Sequence, residues 1–351
     1  MPGIDQRIFK AAWTVFVFAL LLAGVYTIRQ TLVIFALAIF FAQLLEPVIQ
    51  IAGRIVPHKV SRLAVLVIVY LLILGAIAGL LIPIGSKIAE QAAGLAEKLP
   101  DALKQDPLGQ FPLPSWLEPV RPRLTEMLQD RIQELDKNVL PMLTRAGSEI
   151  VSGLGNVLSL ILVPILAFFF LKDGARMRRE TVAMFSLSSR NVVDDILEDL
   201  HHMLQRYIRA LVLLSAATFL SNLTFLSLMG VPFAILLAGI AGILEFIPVI
   251  GPLTAGAVML LVAAFSGYPH VLWIFIFLVA YRIFQDYVLN PQMMGSGVEV
   301  HPVLILFSVI AGEQIAGIPG MFFSVPAVAA LRLIFKRLHQ EAPVSQNRDA
   351  F

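Results

Sequence analysis

Five long stretches of this sequence contain no Asp, Glu, Lys or Arg, and they limit the folds open to the chain. They are residues 11–28, 63–86, 150–171, 210–244 and 246–281. An α-helix rises about 1.5 Å per residue, so about 20 apolar residues cross the ~30 Å hydrocarbon core of a bilayer. The stretches have the length of helices and lack the ten-residue alternation of a barrel strand. The sequence therefore predicts an all-α polytopic protein of the inner-membrane type.

The composition agrees with this class and excludes several functions. Of the 351 residues, 14% are charged and 58% are hydrophobic, whereas soluble domains carry about 25% charged residues. There is no cysteine, which excludes thiolate metal sites and cysteine nucleophiles. The P-loop, H-E-x-x-H and G-x-S-x-G motifs do not occur, so neither ATP hydrolysis nor a protease or lipase is indicated. We expect no enzyme activity, no cofactor, no metal site and no nucleic-acid partner.

Charged residues between the apolar stretches divide the chain into six segments. In order they are three N-terminal spans in residues 1–84, an extracytoplasmic insert in 85–149, a fourth span in 150–171, a cytoplasmic helical segment in 172–209, a C-terminal core in 210–335 and a cytoplasmic tail in 336–351. The spans predicted to cross fully are 11–28, 30–45, 63–84, 150–171, 210–229 and 271–289. The insert contains an apolar stripe with the spacing of an amphipathic helix. The stripe consists of Leu124, Leu128, Ile132, Leu135 and Val139.

Basic residues between the spans predict the orientation, because cytoplasmic loops carry an excess of Lys and Arg. Four basic clusters fall on the same side of the predicted spans. They are Arg7 and Lys10; Arg54, Lys59 and Arg62; Lys172, Arg176, Arg178 and Arg179; and Lys336 and Arg337. We therefore expect both termini in the cytoplasm of a bacterial cell, with residues 85–149 outside the inner membrane.

Two pairs of short apolar segments in the C-terminal core are interrupted by Pro and Gly. The first pair, 232–247 and 253–266, is joined at 248–252, and the second, 303–315 and 321–331, is joined at 316–320. At about 1.5 Å per residue, arms of this length fall short of a full crossing. Two interpretations stay open. The pairs are re-entrant hairpins of opposite entry, a known transporter design, or they are ordinary short spans in a thin or tilted arrangement.

Glu245 is the strongest candidate for a functional side chain. It is the one charged residue between positions 210 and 281, and Pro248, Gly251 and Pro252 follow it closely. A charge at the bilayer centre costs about 2.5–3.5 kcal/mol on insertion scales, which favours a proton- or cation-binding group that faces a cavity. The alternative is a residue at the depth of the lipid headgroups that caps the helix break.

Further polar groups follow in the same half of the chain. Arg282, Asp286 and Asn290 lie at i, i+4 and i+8 on one helix face, as pathway residues or as a structural pair. Glu313 precedes a second break, with Gly317 and Pro319, much as Glu245 precedes the first. We attribute another stripe, Ser215, Thr218 and Asn222, to helix packing. The arrangement predicts that Glu245, Arg282, Asp286 and Glu313 converge around one polar cavity.

Two segments of this half resemble the autoinducer-2 exporter family of bacterial permeases. They are GVPFAILLAGIAGILEFIPVIGP at 230–252 and DYVLNPQMMGSGVEVHPVLILFSVIAGEQIAGIPGMFFSVPAVAAL at 286–331. Where family members commonly have Glu followed by Asn, this chain has Asp286 and Tyr287. The resemblance implies export of small molecules, autoinducer-2 in the naming case, while some relatives are regarded as sodium/proton antiporters. It also implies a homo-oligomer.

Three functional hypotheses follow. The leading one is a secondary transporter that exports a small polar solute with coupling to H⁺ or Na⁺, in which Glu245 binds the ion or the solute. The second is a monovalent cation/proton antiporter that uses the same carboxylates. The third is a membrane scaffold that does not transport and binds a partner through residues 85–149.

Overall fold

A computed structural model of the protein describes residues 6–55, 61–104, 119, 157–294 and 301–340. Apart from the isolated residue 119, the described chain consists of helices and the short connections between them. The helices are α1 (Gln6–Thr27), α2 (Arg29–Ile55), α3 (Arg62–Lys104), α4 (Val157–Ala183), α5 (Arg190–Leu228), α6 (Ala234–Leu244), α7 (Ile250–Phe265), α8 (Val271–Phe284), a π-helical turn (Gln285–Leu289), α9 (Asn290–Met294) and α10 (Pro302–Gln340).

Five helical segments among these residues are long and apolar enough to cross a membrane. They are Arg29–Arg54, Leu63–Lys98, Arg190–Leu228, Val271–Met293 and Pro302–His339. Shorter apolar helices accompany them at Ala12–Thr27, Ala234–Leu244 and Ile250–Phe265. The predicted all-α polytopic architecture is thereby confirmed.

Helix α3 continues beyond the predicted end of its span at residue 84. Ile88 and Leu95 of this extension are buried in the main hydrophobic cluster of the C-terminal half, and the partly buried Ala92 packs against that cluster. Gln91 adds a polar contact, because its side-chain oxygen accepts a hydrogen bond from the Leu236 backbone N–H in the first turn of α6 at 2.9 Å. Such a bond satisfies a donor that has no partner within the helix. The first 20 residues of the predicted insert therefore extend a span and hold α6.

Other sequence expectations lie outside the described residues. They include Lys59, the apolar stripe of residues 124–139, the first part of the predicted fourth span at 150–156, and the tail after residue 340.

Helices α2, α4 and α5 pack together and form a first packing unit. Tyr70 of α3 donates a hydrogen bond to the Pro164 carbonyl of α4 at 2.6 Å. This contact links α3 to α4. The helices α5, α6, α7 and α8 form the second packing unit, whose fully buried residues include Leu226, Leu237 and Ile274.

The first Pro/Gly break separates α6 from α7 and turns the chain back on itself. α6 has 11 residues and α7 has 16, so each is shorter than the hydrocarbon core of about 30 Å requires. Gly251 lies so close to the Leu244 carbonyl that a Cβ at this position would overlap the carbonyl oxygen. The two arms can meet this closely because residue 251 has no side chain.

The second break lies inside α10. Ala316 and Gly317 leave the helical conformation, with φ of −142° and +64° respectively. On either side of this break Gly312 and Gly320 face each other, and a Cβ on either glycine would overlap the carbonyl of the other. In a straight helix eight residues span about 12 Å, so this contact requires a sharp reversal. Both breaks predicted from the sequence are thus hairpins closed by glycine contacts.

Candidate functional site

Glu245 follows the last residue of α6, where the helix ends before Pro248. Its backbone N–H still donates to the Ala241 carbonyl at 3.0 Å, while Pro248 has no N–H with which to continue the ladder. The side chain is only 9% exposed. A carboxylate is thereby held inside the helix bundle at the point where the first hairpin reverses.

Two side chains from other helices donate hydrogen bonds to this carboxylate. Gln285 Nε2 donates to Oε1 at 2.6 Å, and Thr218 Oγ1 donates to Oε2 at 3.1 Å. An ionised carboxylate offers about four acceptor positions on its two oxygens. Two of these are filled by the protein, and the other two can accept further donors.

The contact with Thr218 belongs to a longer polar network. Thr218 Oγ1 lies 3.0 Å from the Tyr281 hydroxyl, and either oxygen can be the donor. Asn222 Nδ2 donates to the Thr218 carbonyl at 2.8 Å. The other amide atom, Asn222 Oδ1, is buried and has no hydrogen-bond partner among the described residues. The network that begins at Glu245 therefore ends at a buried amide oxygen that is unpaired among the described residues.

A π-helical turn positions Gln285. It extends from Gln285 to Leu289 and directly follows α8. A π-helical turn adds a residue to the helical repeat and is frequent at functional sites. Gln285 is buried, with 2% exposure, whereas the side chains of Arg282 and Asp286 are 43% and 40% exposed. The side chain that reaches Glu245 is therefore the neutral amide of this segment.

The carboxylate lies in the wall of a cavity with a volume of about 460 Å³. The cavity lies between α5, α6, α7 and α8. Its polar lining residues are Thr218, Asn222, Glu245, Tyr281, Arg282 and Gln285. The other lining residues, such as Met259 and Leu278, are predominantly apolar. A volume of this size falls within the range of about 300–1,000 Å³ that is usual for small-molecule sites.

Val249, which also lines the cavity, has an unusual backbone conformation. Its φ of 65° and ψ of −58° are close to those of a γ-turn of the rare, strained type. The Ile250 N–H donates to the Pro248 carbonyl at 2.7 Å, which is the hydrogen bond of that turn. A β-branched residue with positive φ is a clear outlier, and such strain costs about 1–3 kcal/mol. The segment that links the two arms of the first hairpin is therefore strained beside the cavity.

The sequence-predicted residues of the first hairpin and of α8 lie at or beside this cavity. Glu245, Pro252 and Arg282 line it, and Gly251 closes the hairpin. Arg282 Nε donates to Asp286 Oδ2 at 2.9 Å, and Asn290 Nδ2 donates to Asp286 Oδ1 at 3.1 Å. Arg282, Asp286 and Asn290 are thus connected by hydrogen bonds, and Arg282 reaches the cavity.

The second hairpin does not bring Glu313 to the cavity. Its side chain is exposed, and α10 packs against α2 and α5. Pro319 lines a separate apolar groove with residues of α1 and α2, and Gly317 forms the reversal. The contact between the hairpins is aromatic, because Phe246 lies 5.5 Å from Phe322, measured between ring centroids.

Four polar residues of the site were not predicted as site residues from the sequence. Gln285 and Tyr281 lie four positions apart on α8 and the π-helical turn, beside the predicted Arg282 stripe. Thr218 and Asn222 belong to the stripe that we assigned to helix packing, and both line the cavity. Ser215 does make a packing contact, since it donates to the Gly242 carbonyl at 2.7 Å. The available signal was the occurrence of uncharged polar pairs at helical spacing within otherwise apolar spans.

No group of three or more His, Cys, Asp or Glu side chains within the described parts of the chain is arranged to hold a metal ion. The polar groups that line the cavity are one carboxylate, one guanidinium, two amides and two hydroxyls. These groups bind by hydrogen bonding and by charge.

Comparison with known proteins identifies the family. The family model of the AI-2E family transporter matches residues 15–340. A Bacillus subtilis (strain 168) protein named "Putative transport protein YueF" is 26% identical over 349 residues, which cover 92% of each chain. The Escherichia coli (strain K12) protein named "Putative transport protein YhhT" is 25% identical over 318 residues, or 89% of this chain and 86% of the relative. This chain therefore belongs to the AI-2E family of membrane transporters.

Proposed function

We propose that the protein is a secondary transporter that exports a small polar solute and that Glu245 is the group that binds the solute or its coupling ion. The single observation that carries this proposal is the buried Glu245 carboxylate in the wall of a 460 Å³ cavity. Ionisable groups inside membrane segments are costly and mark substrate or ion pathways. The family membership supports transport, and the resemblance to autoinducer-2 exporters suggests that molecule as the first solute to examine.

The hydroxyl chain beside Glu245 suits a group that exchanges a proton. With the carboxylate ionised, Tyr281 donates to Thr218, and Thr218 donates to Glu245 Oε2. When Oε2 carries a proton, it donates to Thr218 Oγ1, and Thr218 donates to the Tyr281 oxygen. Both hydroxyls keep a hydrogen bond within this chain in either state, so protonation of Glu245 reverses the donors without breaking a contact. The site can thus alternate between a form that binds a donor or cation and a form that releases it.

A monovalent cation/proton antiporter is the second candidate. The observation that favours it is the pair of side-chain oxygens at the Glu245 carboxylate, Thr218 Oγ1 at 3.1 Å from Oε2 and the Tyr281 hydroxyl at 3.0 Å from Thr218 Oγ1. Hard cations prefer oxygen ligands of this kind. One assay distinguishes the two candidates. In vesicles that contain no organic solute, a cation/proton antiporter changes the internal pH when the cation is added, whereas a solute exporter does not.

The cellular setting proposed with this function follows from the basic clusters. We expect a bacterial cytoplasmic membrane, both termini on the cytoplasmic side, and the segment 85–149 outside. The exporter assembles as a homo-oligomer, an expectation that rests on the family resemblance alone. The six-segment division and the assignment of Asp286, Asn290 and Arg282 to the pathway are parts of the same proposal.

Replacement of Glu245 by Gln tests the proposal in proteoliposomes with an imposed pH gradient. The amide keeps the size of the side chain but cannot ionise, so we expect solute flux to fall at least tenfold and to lose its dependence on pH. Glu97→Gln, an exposed carboxylate on the α3 extension, is the matched control and retains the wild-type profile. Normal flux of Glu245→Gln across the pH range would exclude the proposed role.

The Glu313→Gln variant examines the second hairpin in the same assay. Because the Glu313 side chain is exposed and does not line the cavity, we expect flux close to that of the wild type. A loss comparable to that of Glu245→Gln would mean that Glu313 joins the pathway during the transport cycle.

A further inference from the structure

The Glu245 cavity combines polar groups with an extensive apolar wall. The polar groups come from α5, from the first helix break and from the end of α8, as described above. Most of the remaining wall is contributed by α7 and α8 and includes Leu253, Leu260, Phe275 and Val279. A single ion would leave this wall without a partner. The volume of about 460 Å³ equals that of about 15 water molecules at ~30 Å³ each.

The apolar wall reaches the outer surface of the helix bundle. Although they line the cavity, Leu253 is 71% exposed, Phe275 is 51% exposed and Val279 is 44% exposed. Leu253 belongs to α7, and the other two belong to α8. We call the opening between these three residues the lateral mouth. Exposed apolar side chains on membrane helices face lipid, because water would penalise their exposure.

We propose that the transported solute is a small amphiphile with an apolar body and one hydrogen-bond-donating head, charged or neutral, and that it enters the Glu245 cavity from the bilayer through the lateral mouth. This inference rests on the proposed function, since Glu245 is the binding group in both.

The chemistry of the cavity selects the head of the solute. The Glu245 carboxylate accepts one hydrogen bond on each oxygen, and its other acceptor positions have no donor among the described residues. An ammonium or hydroxyl head supplies the matching donors. A head that carries only acceptors, such as a carboxylate, meets the negative charge of Glu245 and is disfavoured.

The apolar wall selects the body of the solute. Burial of each additional methylene contributes about 0.8 kcal/mol, or a three- to fourfold gain in affinity. We therefore expect affinity to rise with chain length until the cavity is filled. This dependence separates an amphiphile site from a site for Na⁺ or for a fully polar solute.

A binding series tests the class of solute. The probe is radiolabelled 2-phenylethylammonium, which is added to the full-length protein in nanodiscs together with competing n-alkylammonium ions of two to eight carbons. We expect each methylene to improve competition about three- to fourfold, and the trimethylated phenylethyl analogue, which lacks N–H donors, to bind at least tenfold more weakly. Empty nanodiscs and the Glu245→Gln variant give the background from partition into lipid. Competition by NaCl equal to that of hexylammonium, or no dependence on chain length, would overturn the proposal.

The outcomes separate this inference from the proposed function. If Glu245→Gln abolishes solute flux while affinity is independent of chain length, the transporter proposal stands and the amphiphile proposal fails. If Glu245→Gln changes neither flux nor binding, both proposals fail.

Spin labelling tests the lateral mouth directly. The natural chain has no cysteine, so a nitroxide on Val279→Cys is the single label. We expect collisions with oxygen, which concentrates in lipid, to exceed those with a water-soluble nickel chelate. More frequent collisions with the nickel chelate would mean an aqueous mouth, and protection from both reagents would mean a mouth covered by protein. Either result would overturn lateral entry.

A blocking substitution provides a second measurement at the mouth. Val279→Trp narrows the opening, and we expect it to slow entry of the phenylethylammonium probe at least tenfold. Leu272→Trp is the matched control, because Leu272 is 68% exposed on the same helix but does not line the cavity. Equal rates for the two variants would contradict entry through this opening.

Discussion

Glu245 can be buried because other helices supply its hydrogen-bond donors. A charged group in a membrane segment costs about 2.5–3.5 kcal/mol, and a hydrogen bond to a charged group contributes about 1.5–3 kcal/mol. The two bonds from Gln285 and Thr218 therefore offset the cost of burial. The remaining acceptor positions of the carboxylate are available to a ligand.

Val249 shows a different use of a single residue. Its strained turn connects the end of the Glu245 segment to α7. Strained residues cluster at sites where the strain serves a mechanism. The sequence gives no warning here, because Val is among the least expected residues at positive φ.

Substitution of Val249 by Gly is predicted to stabilise the protein. Glycine adopts positive φ without strain, and Val249 is already 40% exposed, so little burial is lost. We expect a gain of about 1 kcal/mol, seen as a rise of about 2–4 °C in the apparent melting temperature in detergent at fixed scan rate. Val258→Gly is the control within α7, where glycine lowers the melting temperature because it weakens the helix. Equal decreases for both variants would argue against strain at Val249.

At the scale of elements, the two hairpins depend on glycines where the arms meet. Each reversal brings backbone against backbone, at Gly251 with Leu244 and at Gly312 with Gly320. Small residues permit such close approach between helices in membranes. The positions of the breaks were predicted from Pro and Gly alone, whereas the identity of the touching pairs follows from the folded geometry.

Gly251→Ala is predicted to disrupt the first hairpin. The added methyl group overlaps a backbone carbonyl, which cannot move aside as a flexible side chain can. We expect a destabilisation of about 1–3 kcal/mol, typical of overpacking, together with reduced transport. In Gly256→Ala the new methyl group meets its nearest neighbour, Leu278, at 3.7 Å, which is an ordinary contact. A melting temperature for Gly251→Ala as high as that of Gly256→Ala would show that the hairpin tolerates a side chain.

Helix α5 illustrates how an element joins the membrane core to the polar segment before it. Its later turns bear Thr218 and Asn222 at the cavity. Its first turns bear Asp194, which accepts a hydrogen bond from Arg178 of α4 at 2.6 Å, and Asp199, which accepts one from Arg337 of α10 at 2.7 Å. These ion pairs are partly exposed, so each contributes at most about 1 kcal/mol. They connect three helices at the end that we assign to the cytoplasm.

At the scale of the whole molecule, orientation in the membrane can be measured in the natural cysteine-free background. Arg179→Cys lies on the proposed cytoplasmic side, and Glu97→Cys, on the α3 extension, lies on the proposed outer side. Because basic clusters mark the cytoplasmic side, we expect a membrane-impermeant maleimide to label the Arg179→Cys variant only in inside-out vesicles. The Glu97→Cys variant should react in intact spheroplasts. The reverse pattern would invert the proposed topology.

Much of the fold could be predicted because it depends on local properties. Uncharged stretches indicate membrane helices, and Pro with Gly indicates the two breaks. The candidate site was predicted less completely. Glu245, Pro252 and Arg282 lie at the cavity, but Gln285 and Tyr281 were missed and Glu313 lies elsewhere. The parallel between the two breaks suggested one shared site, whereas α10 packs against α2 and α5.

The sequence by itself determined the membrane class, the helical architecture and the rare buried carboxylate, since each depends on hydrophobicity and backbone chemistry along short stretches of chain. The tertiary structure decided which side chains meet that carboxylate. Thr218 and Gln285 are 27 and 40 positions from Glu245, and no local pattern specifies their contact. Lipid is as apolar as the helices, so close packing and polar contacts, rather than burial from water, select the partners. The cavity and its opening follow from that selection.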